Sequence, residues 1–406
     1  MKKILLTLLV VLLCPLLSPG WGGFGHKVIT QLAVYSLPGG MQGFYFRNLN
    51  QLVQLSNAAD QRAETDSMEA SRHFIYMDHY GENPFGAVPK QWEKATAKYK
   101  ADTLRKYGTL PWVIDEVREK LTQAFRAGDT AQIVSLSADL SHYVADAYSP
   151  LRTTVNHNGQ LSNQEGLQPL WENKLPERHI GDYKLHNKPA KYTKTPLNDT
   201  WQAIQDSYGF LGATFDLEEK VTRGFTPEQK YIFSHRFGQT RRAYSDAFAD
   251  AYHKEQIGGM VMFRMQLASS FVGSMWLTAW KDAGSPNLEK LLKKPIRKEE
   301  SEKLDEQLSA WKDNQLVPQN MLLAQLKEKA VEAPDQIRPA ADMAPPPPVA
   351  PAPAPAAASN AGPAAPAAAE AEKVKTKAKT EDGTVKQKVK DKKPEKKAPK
   401  KVDDGW

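Results

Sequence analysis

The sequence has almost no cysteine: of its 406 residues only Cys14 is one, and it lies in the N-terminal segment. Disulfide bonds therefore cannot hold the rest of the chain together. Long apolar runs are also missing after that segment, so no later membrane span is predicted. We find neither a convincing alternating strand pattern nor an internal repeat. The helical periodicity that remains predicts an all-α fold, a packed helical bundle.

The globular part of the chain also lacks a surplus of charge. Residues 373–406 contain 13 Lys and 6 Asp or Glu, a net charge of +7 that equals that of the whole chain. The 41 basic and 41 acidic residues elsewhere cancel. A balanced globular part is not suited to tight, nonspecific binding of duplex DNA. The basic tail suits anionic polymers or a membrane surface, and a solvated, disordered end is the alternative.

The first 20 residues have the pattern of a signal peptide. Two lysines precede an apolar stretch from Ile4 to Leu17, and small residues follow before Trp21. The stretch is short for a membrane span, whereas this order of charged, apolar and small residues is typical of export signals. We therefore expect removal of residues 1–20 and an exported chain, either periplasmic or secreted.

Composition divides the remainder into three parts. Residues 21–333 contain the helical patterns and predict one domain. Residues 334–372 are rich in Ala and Pro and predict an extended linker, and residues 373–406 form the Lys-rich tail. Within the domain, longer helices are predicted near 91–106, 111–127, 130–149, 197–220, 227–253, 255–283 and 297–330.

The chemistry centres on the predicted helix over residues 130–149. Its apolar residues recur at helical spacing, and Pro150 ends it. His142 and Asp146 lie four residues apart, so both side chains should share one face of the helix. A His and a carboxylate in that arrangement suit two ligands of one zinc ion. An ordinary salt-bridged or hydrogen-bonded pair is the alternative.

Trp21 becomes the N-terminal residue if the chain is cut after Gly20. Its free amine and its own carbonyl could then chelate a metal ion, and the amine titrates at about 7.7 to 8.0, so a metal readily displaces its proton. His26 is close enough in sequence to complete such a site. In the alternative interpretation, Trp21 is a core residue and His26 donates a hydrogen bond at a helix end.

Four short motifs follow one another between residues 21 and 151. They are Trp21-Gly-x-x-Gly-His26, Ala59-Asp60, Arg72-His73-Phe74, and His142-x-x-x-Asp146 ahead of Pro150-Leu151. Together they resemble the S1/P1 nuclease family of secreted, all-α, trinuclear-zinc phosphoesterases, which is related to zinc-dependent bacterial phospholipases C. Segments 166–177 and 258–284 are similar as well. The resemblance covers roughly residues 21–288 and does not extend to the tail.

The resemblance implies two zinc sites that share one carboxylate. The first zinc would bind Asp60, His73, His142 and Asp146. The second would bind the Trp21 amine and carbonyl, His26 and the other oxygen of Asp146. A hydroxide between the two ions would attack phosphorus, with Asp60 orienting it. Asp60 and Asp146 are thus the implied catalytic residues.

A third zinc site of the family is not conserved in the motif positions of this chain. Arg152 and Gln168 stand where the family has His, and only the carboxylate remains, as Glu172. Because arginine stays protonated, a third ion is not expected to bind. Arg152 either clamps a substrate phosphate or forms a salt bridge with Glu172 in a decayed site. Arg62 is a second candidate for phosphate contact, although it lies one residue short of the family position.

The function that the resemblance implies is zinc-dependent hydrolysis of phosphodiester bonds in single-stranded nucleic acid or nucleotides. Two alternatives stay open at this point. One is a catalytically impaired member that binds phosphorylated ligands or cell-envelope components. The other is a phospholipase C.

Overall fold

The computed structural model describes residues 21–236, 239–326 and 337–339, which all belong to one unit extending from Met1 to Pro345. The predicted signal peptide, nearly all of the linker and the Lys-rich tail lie outside the described residues. The described part is mostly helical, as predicted. Its α-helices are α1 Gly23–Tyr35, α2 Gly39–Arg47, α3 Leu49–Leu55, α4 Ala58–Ala63, α5 Ser67–Ala70, α6 Pro84–Ala87, α7 Trp92–Tyr99, α8 Ala101–Tyr107, α9 Leu110–Ala127, α10 Thr130–Ala147, α11 Leu167–Pro169, α12 Leu175–His179, α13 Pro196–Gly209, α14 Leu211–Thr222, α15 Pro227–Lys230, α16 Asp246–Tyr252, α17 Gly258–Asp282 and α18 Lys298–Lys312.

Short segments of other types connect these helices. The 3₁₀ segments are Met77–Tyr80, Pro150–Thr153, Ile180–Asp182, Leu288–Leu291 and Leu323–Gln325, and the π-helical segments are Leu170–Lys174 and His253–Ile257. Three strands, β1 Tyr231–Arg236, β2 Gln239–Tyr244 and β3 Ile337–Pro339, form one antiparallel sheet in the order β2-β1-β3.

Helix α10 lies at the centre of the bundle, where it contacts α1, α9 and α17. It is buried along most of its length, from Ile133 to Ala147. Because neighbours surround it, polar residues of this helix are enclosed together with its apolar ones, and they need partners there. Within the described residues, no helix is both long enough and apolar enough to cross a bilayer.

A two-residue link between α9 and α10 sets the start of the central helix. Gly128 adopts the left-handed conformation (φ 67°) that ends many helices, and its N–H donates to the end of α9. Asp129 then caps α10, since its carboxylate accepts a hydrogen bond from the N–H of Gln132 at 3.1 Å. The two helices consequently form a tight antiparallel pair.

The other end of α10 is held by side chains from distant parts of the chain. The last carbonyls of a helix have no partner within it. Here buried side chains donate to three of them: Trp21 Nε1 to Ala145, Ser207 Oγ to Ala147 and Arg264 Nε to Tyr148, at 2.7, 2.6 and 2.9 Å. The turn of helix that carries the predicted zinc ligands is therefore fixed in place.

The prediction of a helix over residues 227–253 is wrong, because β1 and β2 form a hairpin within that range. Tyr231 pairs with Tyr244 at the base of the hairpin, and the centres of their rings lie 5.1 Å apart. Aromatic and β-branched residues at the start of β1 favour the strand conformation. Residues 337–339, which we assigned to the linker, pair with β1 on its other edge as β3.

The predicted helix over residues 297–330 is too long. Helix α18 ends at Lys312, and Asn314 follows in the left-handed conformation (φ 55°). Asparagine is one of the few residues that adopt this conformation readily, so Asn314 favours the end of the helix. Pro318, four residues later, would also interrupt a longer helix. The C-terminal part of the domain therefore continues as turns rather than as a helix.

Gly108 packs closely against the segment that contains His73, and a substitution at this glycine tests that packing. Its φ is 99°, and a Cβ there would lie 2.0 Å from the carbonyl oxygen of Phe74. We expect Gly108→Ala to lower the free energy of unfolding by more than about 1 kcal/mol. Gly212→Ala is the matched control, because a Cβ at that helical position meets nothing within 4 Å and should be neutral or stabilising. Equal urea midpoints for the two variants would contradict this packing.

Candidate metal centre

Four separate pieces of the chain bring the predicted ligands together. Helix α1 provides His26, α4 provides Asp60, and the irregular segment after α5 provides His73. The ligands His142 and Asp146 come from α10. His26, His142 and Asp146 are completely buried, His73 is nearly so, and Asp60 keeps partial contact with solvent. The structure therefore brings these five side chains together, whereas their role as metal ligands stays a prediction.

The first group of donors consists of Asp60, His73, His142 and one oxygen of Asp146. Nδ1 of His73 lies 2.9 Å from Nε2 of His142 and 3.1 Å from Oδ2 of Asp146. Oδ1 of Asp60 lies 3.6 Å from Nδ1 of His73 and 3.5 Å from Nε2 of His142. The distance from His142 Nε2 to Asp146 Oδ2 is 3.4 Å.

These five separations suit a small divalent metal ion, and zinc is the ion predicted from the sequence. Zinc bonds to nitrogen and oxygen measure about 2.0 to 2.2 Å, so ligand atoms around a regular tetrahedral zinc lie roughly 3.3 to 3.6 Å apart. The observed values of 2.9 to 3.6 Å lie at or just below this range. The ring planes of His73 and His142 are nearly perpendicular, at 85°, so in-plane lone pairs of both rings can converge on one point.

A hydrogen bond selects the tautomer of His142. Its Nδ1 donates to the carbonyl oxygen of Ser56 at 2.7 Å, which leaves the Nε2 lone pair directed toward the donor group. Metal-binding histidines usually have such a partner on the ring nitrogen that does not bind the ion. Sequence reasoning missed Ser56, because a backbone carbonyl 86 residues away leaves no signal in a motif.

The second group contains His26 and the other oxygen of Asp146. Nε2 of His26 lies 3.7 Å from Oδ1 of Asp146. Both ring nitrogens of His26 are buried without a hydrogen-bond partner. Burying an imidazole without hydrogen bonds is energetically costly unless another group binds its nitrogens. The neighbouring carboxylate of Asp146 makes a metal ion a suitable group.

Ligand atoms of His26, His142 and Asp146 lie within 4.8 Å of one another, but the orientation of the two rings does not suit one shared ion. Their rings stack with centres 3.8 Å apart and planes inclined by only 14°. The lone pair of an imidazole nitrogen lies in the ring plane, so two nearly parallel, stacked rings point past any common position. The two groups would therefore hold separate ions, and Asp146 would contribute one carboxylate oxygen to each.

The same criterion removes a third cluster from consideration. His179, Asp182 and His253 come close to one another near the start of the second π-helical segment. Yet the two imidazoles stack at 3.7 Å with an inclination of 12°. These rings cannot direct lone pairs at one ion without turning, so we assign no metal to them.

Trp21 lies beside the second group. Its side chain is fully buried against Trp171, with ring centres 4.7 Å apart, and its Nε1 donates to the residue before Asp146. The indole is thus a core residue, as the alternative interpretation predicted. Metal binding by its amine depends on removal of residues 1–20, which lie outside the described residues, and stays a prediction.

At the positions of the family's third zinc, Arg152 lies among acidic groups. Its Nε is 3.6 Å from Oδ1 of Asp146 and 3.6 Å from Oε1 of Glu172. Gln168 Nε2 donates to Glu172 at 3.0 Å and Oε1 of Gln168 bonds to His157 at 2.8 Å. These residues do not fit a third ion, because arginine offers no lone pair and Gln168 is engaged with His157 and Glu172, which leaves a single carboxylate.

Arg62 is partly exposed and pairs with two acidic side chains. Its guanidinium lies 3.0 Å from Asp139 and 3.4 Å from Glu69, and 43% of its side chain is exposed. Its contact with a substrate phosphate stays a prediction.

Burial and charge act in opposite directions on the ionisable groups. Burial alone would lower the pKa of His142, but the charges of Asp60 and Asp146 outweigh it and raise the pKa to about 9. Burial, followed by the charge of His142, lowers the pKa of His26 to about 3. Although burial raises the pKa of both carboxyl groups, their cationic neighbours hold the pKa of Asp60 and Asp146 below the usual range. The carboxylates are therefore ionised, and a metal ion that binds here must displace the second proton of His142 from Nε2.

No protein-family model matches the chain, and a search among curated proteins finds no match. The likeness to the S1/P1 nuclease family accordingly rests on the motif residues themselves and stays a prediction.

The number of zinc ions bound per chain tests the two-group interpretation. We expect two for the unaltered protein, one after His73→Ala, one after His26→Ala and fewer than one after Asp146→Ala, because only Asp146 serves both groups. His186→Ala, an exposed histidine that packs on Trp311, is the control and should retain two. Metal analysis after dialysis measures the count. Two ions in the His26 variant would contradict the assignment.

Proposed function

We propose that this protein is a zinc-dependent phosphoester hydrolase that cleaves phosphodiester bonds of single-stranded nucleic acid or nucleotides. The observation that carries the proposal is the position of Asp146, whose two oxygens face two separate imidazole groups. A pair of zinc ions at such a carboxylate supplies Lewis acidity toward a phosphoryl oxygen and lowers the pKa of bound water toward neutrality. The motif order along the chain gives the proposal its substrate class.

The residues that would hold the ions are those described above. Asp60, His73, His142 and Oδ2 of Asp146 would hold the first. His26 and Oδ1 of Asp146 would hold the second, completed by the amine and carbonyl of Trp21 once residues 1–20 are removed. Neutral imidazole with carboxylate is a donor set that zinc prefers.

Asp60 is the donor best placed to act on the substrate side. The other four side chains are buried, whereas Asp60 keeps partial solvent contact, so substrate and water approach the centre past it. Its carboxylate remains ionised and can accept a hydrogen bond from the attacking water, which orients that water. The buried histidines exclude bulk solvent from the far side.

Arg152 sets the strength of the activity that we propose. Its guanidinium contributes a fixed positive charge near Asp146 and Glu172. A single delocalised charge cannot replace the Lewis acidity of a dication, so a slow reaction is expected. This observation also favours a second candidate function, in which the protein binds phosphorylated ligands or envelope components without turnover.

Cellular placement follows from the same proposal. We infer an exported protein, periplasmic or secreted, whose Lys-rich tail contacts anionic polymers or a membrane surface.

A substrate panel tests the proposal directly. Zinc-loaded protein is incubated with RNA, single-stranded DNA, a 3′-nucleotide and phosphatidylcholine, and released products are measured. We expect turnover of nucleic acid or nucleotide, and a loss of roughly three orders of magnitude in kcat/KM for Asp146→Asn. Asp206→Asn, on the exposed face of α13, is the matched control and should retain full activity. Cleavage of phosphatidylcholine alone would indicate a phospholipase C instead, and binding without turnover would indicate the impaired protein.

Restoring histidine at the third position tests the role of Arg152. The double variant Arg152→His and Gln168→His, with Glu172 retained, recreates the three donors of the family. We expect a third zinc in metal analysis and a higher kcat, since a dication then replaces the guanidinium. A third zinc without any gain in kcat would contradict the view that loss of this site limits the reaction.

A further inference from the structure

The two nitrogens of His73 face different surroundings. Nδ1 lies in the first donor group, 3.1 Å from Asp146. Nε2 is buried, makes no hydrogen bond, and faces Oε1 of Glu69 at 3.7 Å. A buried ring nitrogen directed at a carboxylate is the arrangement in which histidine ligands are commonly held in proteins that bind metal ions.

Glu69 is itself held by three other side chains. Tyr143 donates its hydroxyl hydrogen to Oε1 in a short hydrogen bond. Arg62 lies 3.4 Å from the same oxygen, and Arg72 lies 3.5 Å from Oε2. Glu69 is buried, so these partners keep the carboxylate ionised and restrict its rotation.

Tyr143 connects this cluster to the central helix. Its hydroxyl oxygen accepts hydrogen bonds from Arg72 Nε at 3.2 Å and Arg62 Nη2 at 3.3 Å. It follows His142 in α10, and its ring contacts the ring of His73 at 5.4 Å. The Glu69 carboxylate is therefore placed by the same helix that carries the predicted ligands.

We propose that Glu69 is a positioning residue for the first metal ion. The negative charge of its carboxylate, 3.7 Å from Nε2 of His73, favours the tautomer that has its proton on Nε2 and its Nδ1 lone pair directed inward. It acts on His73 over a longer distance in the way that the hydrogen-bonded Ser56 carbonyl acts on His142. This inference rests on the proposed function in so far as it requires a metal ion at the centre. The competing explanation is that Glu69 only neutralises Arg62 and Arg72.

Zinc affinity separates the two explanations. The probe is zinc alone, titrated into the metal-free full chain against a chromophoric chelator. We expect Glu69→Ala to weaken the ion held by His73 by about 10- to 100-fold while the ion at His26 keeps its affinity. Glu69→Gln should lie between this variant and the unaltered protein, because its amide oxygen can still face Nε2 but the side chain carries no net charge. Tyr143→Phe should weaken the same ion to a smaller degree.

Glu116→Gln is the matched control. Glu116 also pairs with Arg72, at 3.6 Å, but makes no contact with His73 in this cluster. If Glu69 acted only by neutralising the arginines, Glu69→Gln and Glu116→Gln would change zinc affinity by the same amount. That result would overturn the inference. Unchanged zinc affinity in Glu69→Ala, in a chain with unaltered circular dichroism, would also overturn it. A protein without any zinc affinity would instead defeat the proposed function, and this inference with it, irrespective of Glu69.

Discussion

The burial of Asp146 is the constraint on which the rest of the centre depends. An ionised carboxylate without water costs several kcal/mol unless cations or hydrogen bonds surround it. Here imidazoles of His26, His73 and His142 and the guanidinium of Arg152 approach it from different sides. His142 belongs to α10 itself, whereas the other three groups come from α1, from the segment after α5 and from the 3₁₀ segment Pro150–Thr153, so the charge balance and the packing of the bundle cannot be separated.

In this arrangement the two carboxylate oxygens of Asp146 face different histidines. Oδ2 faces a pair of perpendicular imidazoles, and Oδ1 faces a histidine stacked on one of that pair. The stacking is what separates two ion positions, because it prevents the closest rings from sharing an ion. Backbone carbonyls and carboxylates behind the rings, Ser56 and Glu69 above all, then decide which ring nitrogen is available.

Part of the fold and of the candidate site could be predicted from local sequence patterns. The rest depends on contacts between residues that are far apart in the sequence. The central helix and the shared face of His142 and Asp146 followed from helical periodicity, since a spacing of four residues has a single structural meaning in a helix. The hairpin within 227–253 did not, because short apolar and aromatic runs fit either period. Glu69 did precede His73 by four residues, a spacing that could have drawn attention to it. Its partner Tyr143 is 74 residues away and approaches only through tertiary packing, which no window of sequence contains.

The covalent attachment of Arg152 has a consequence for the protein before any metal ion is bound. Because this cation belongs to the polypeptide and cannot diffuse away, the buried carboxylate of Asp146 always has a positive neighbour. The interior can therefore fold without a metal ion, and the folded chain would be able to take up its ions afterwards.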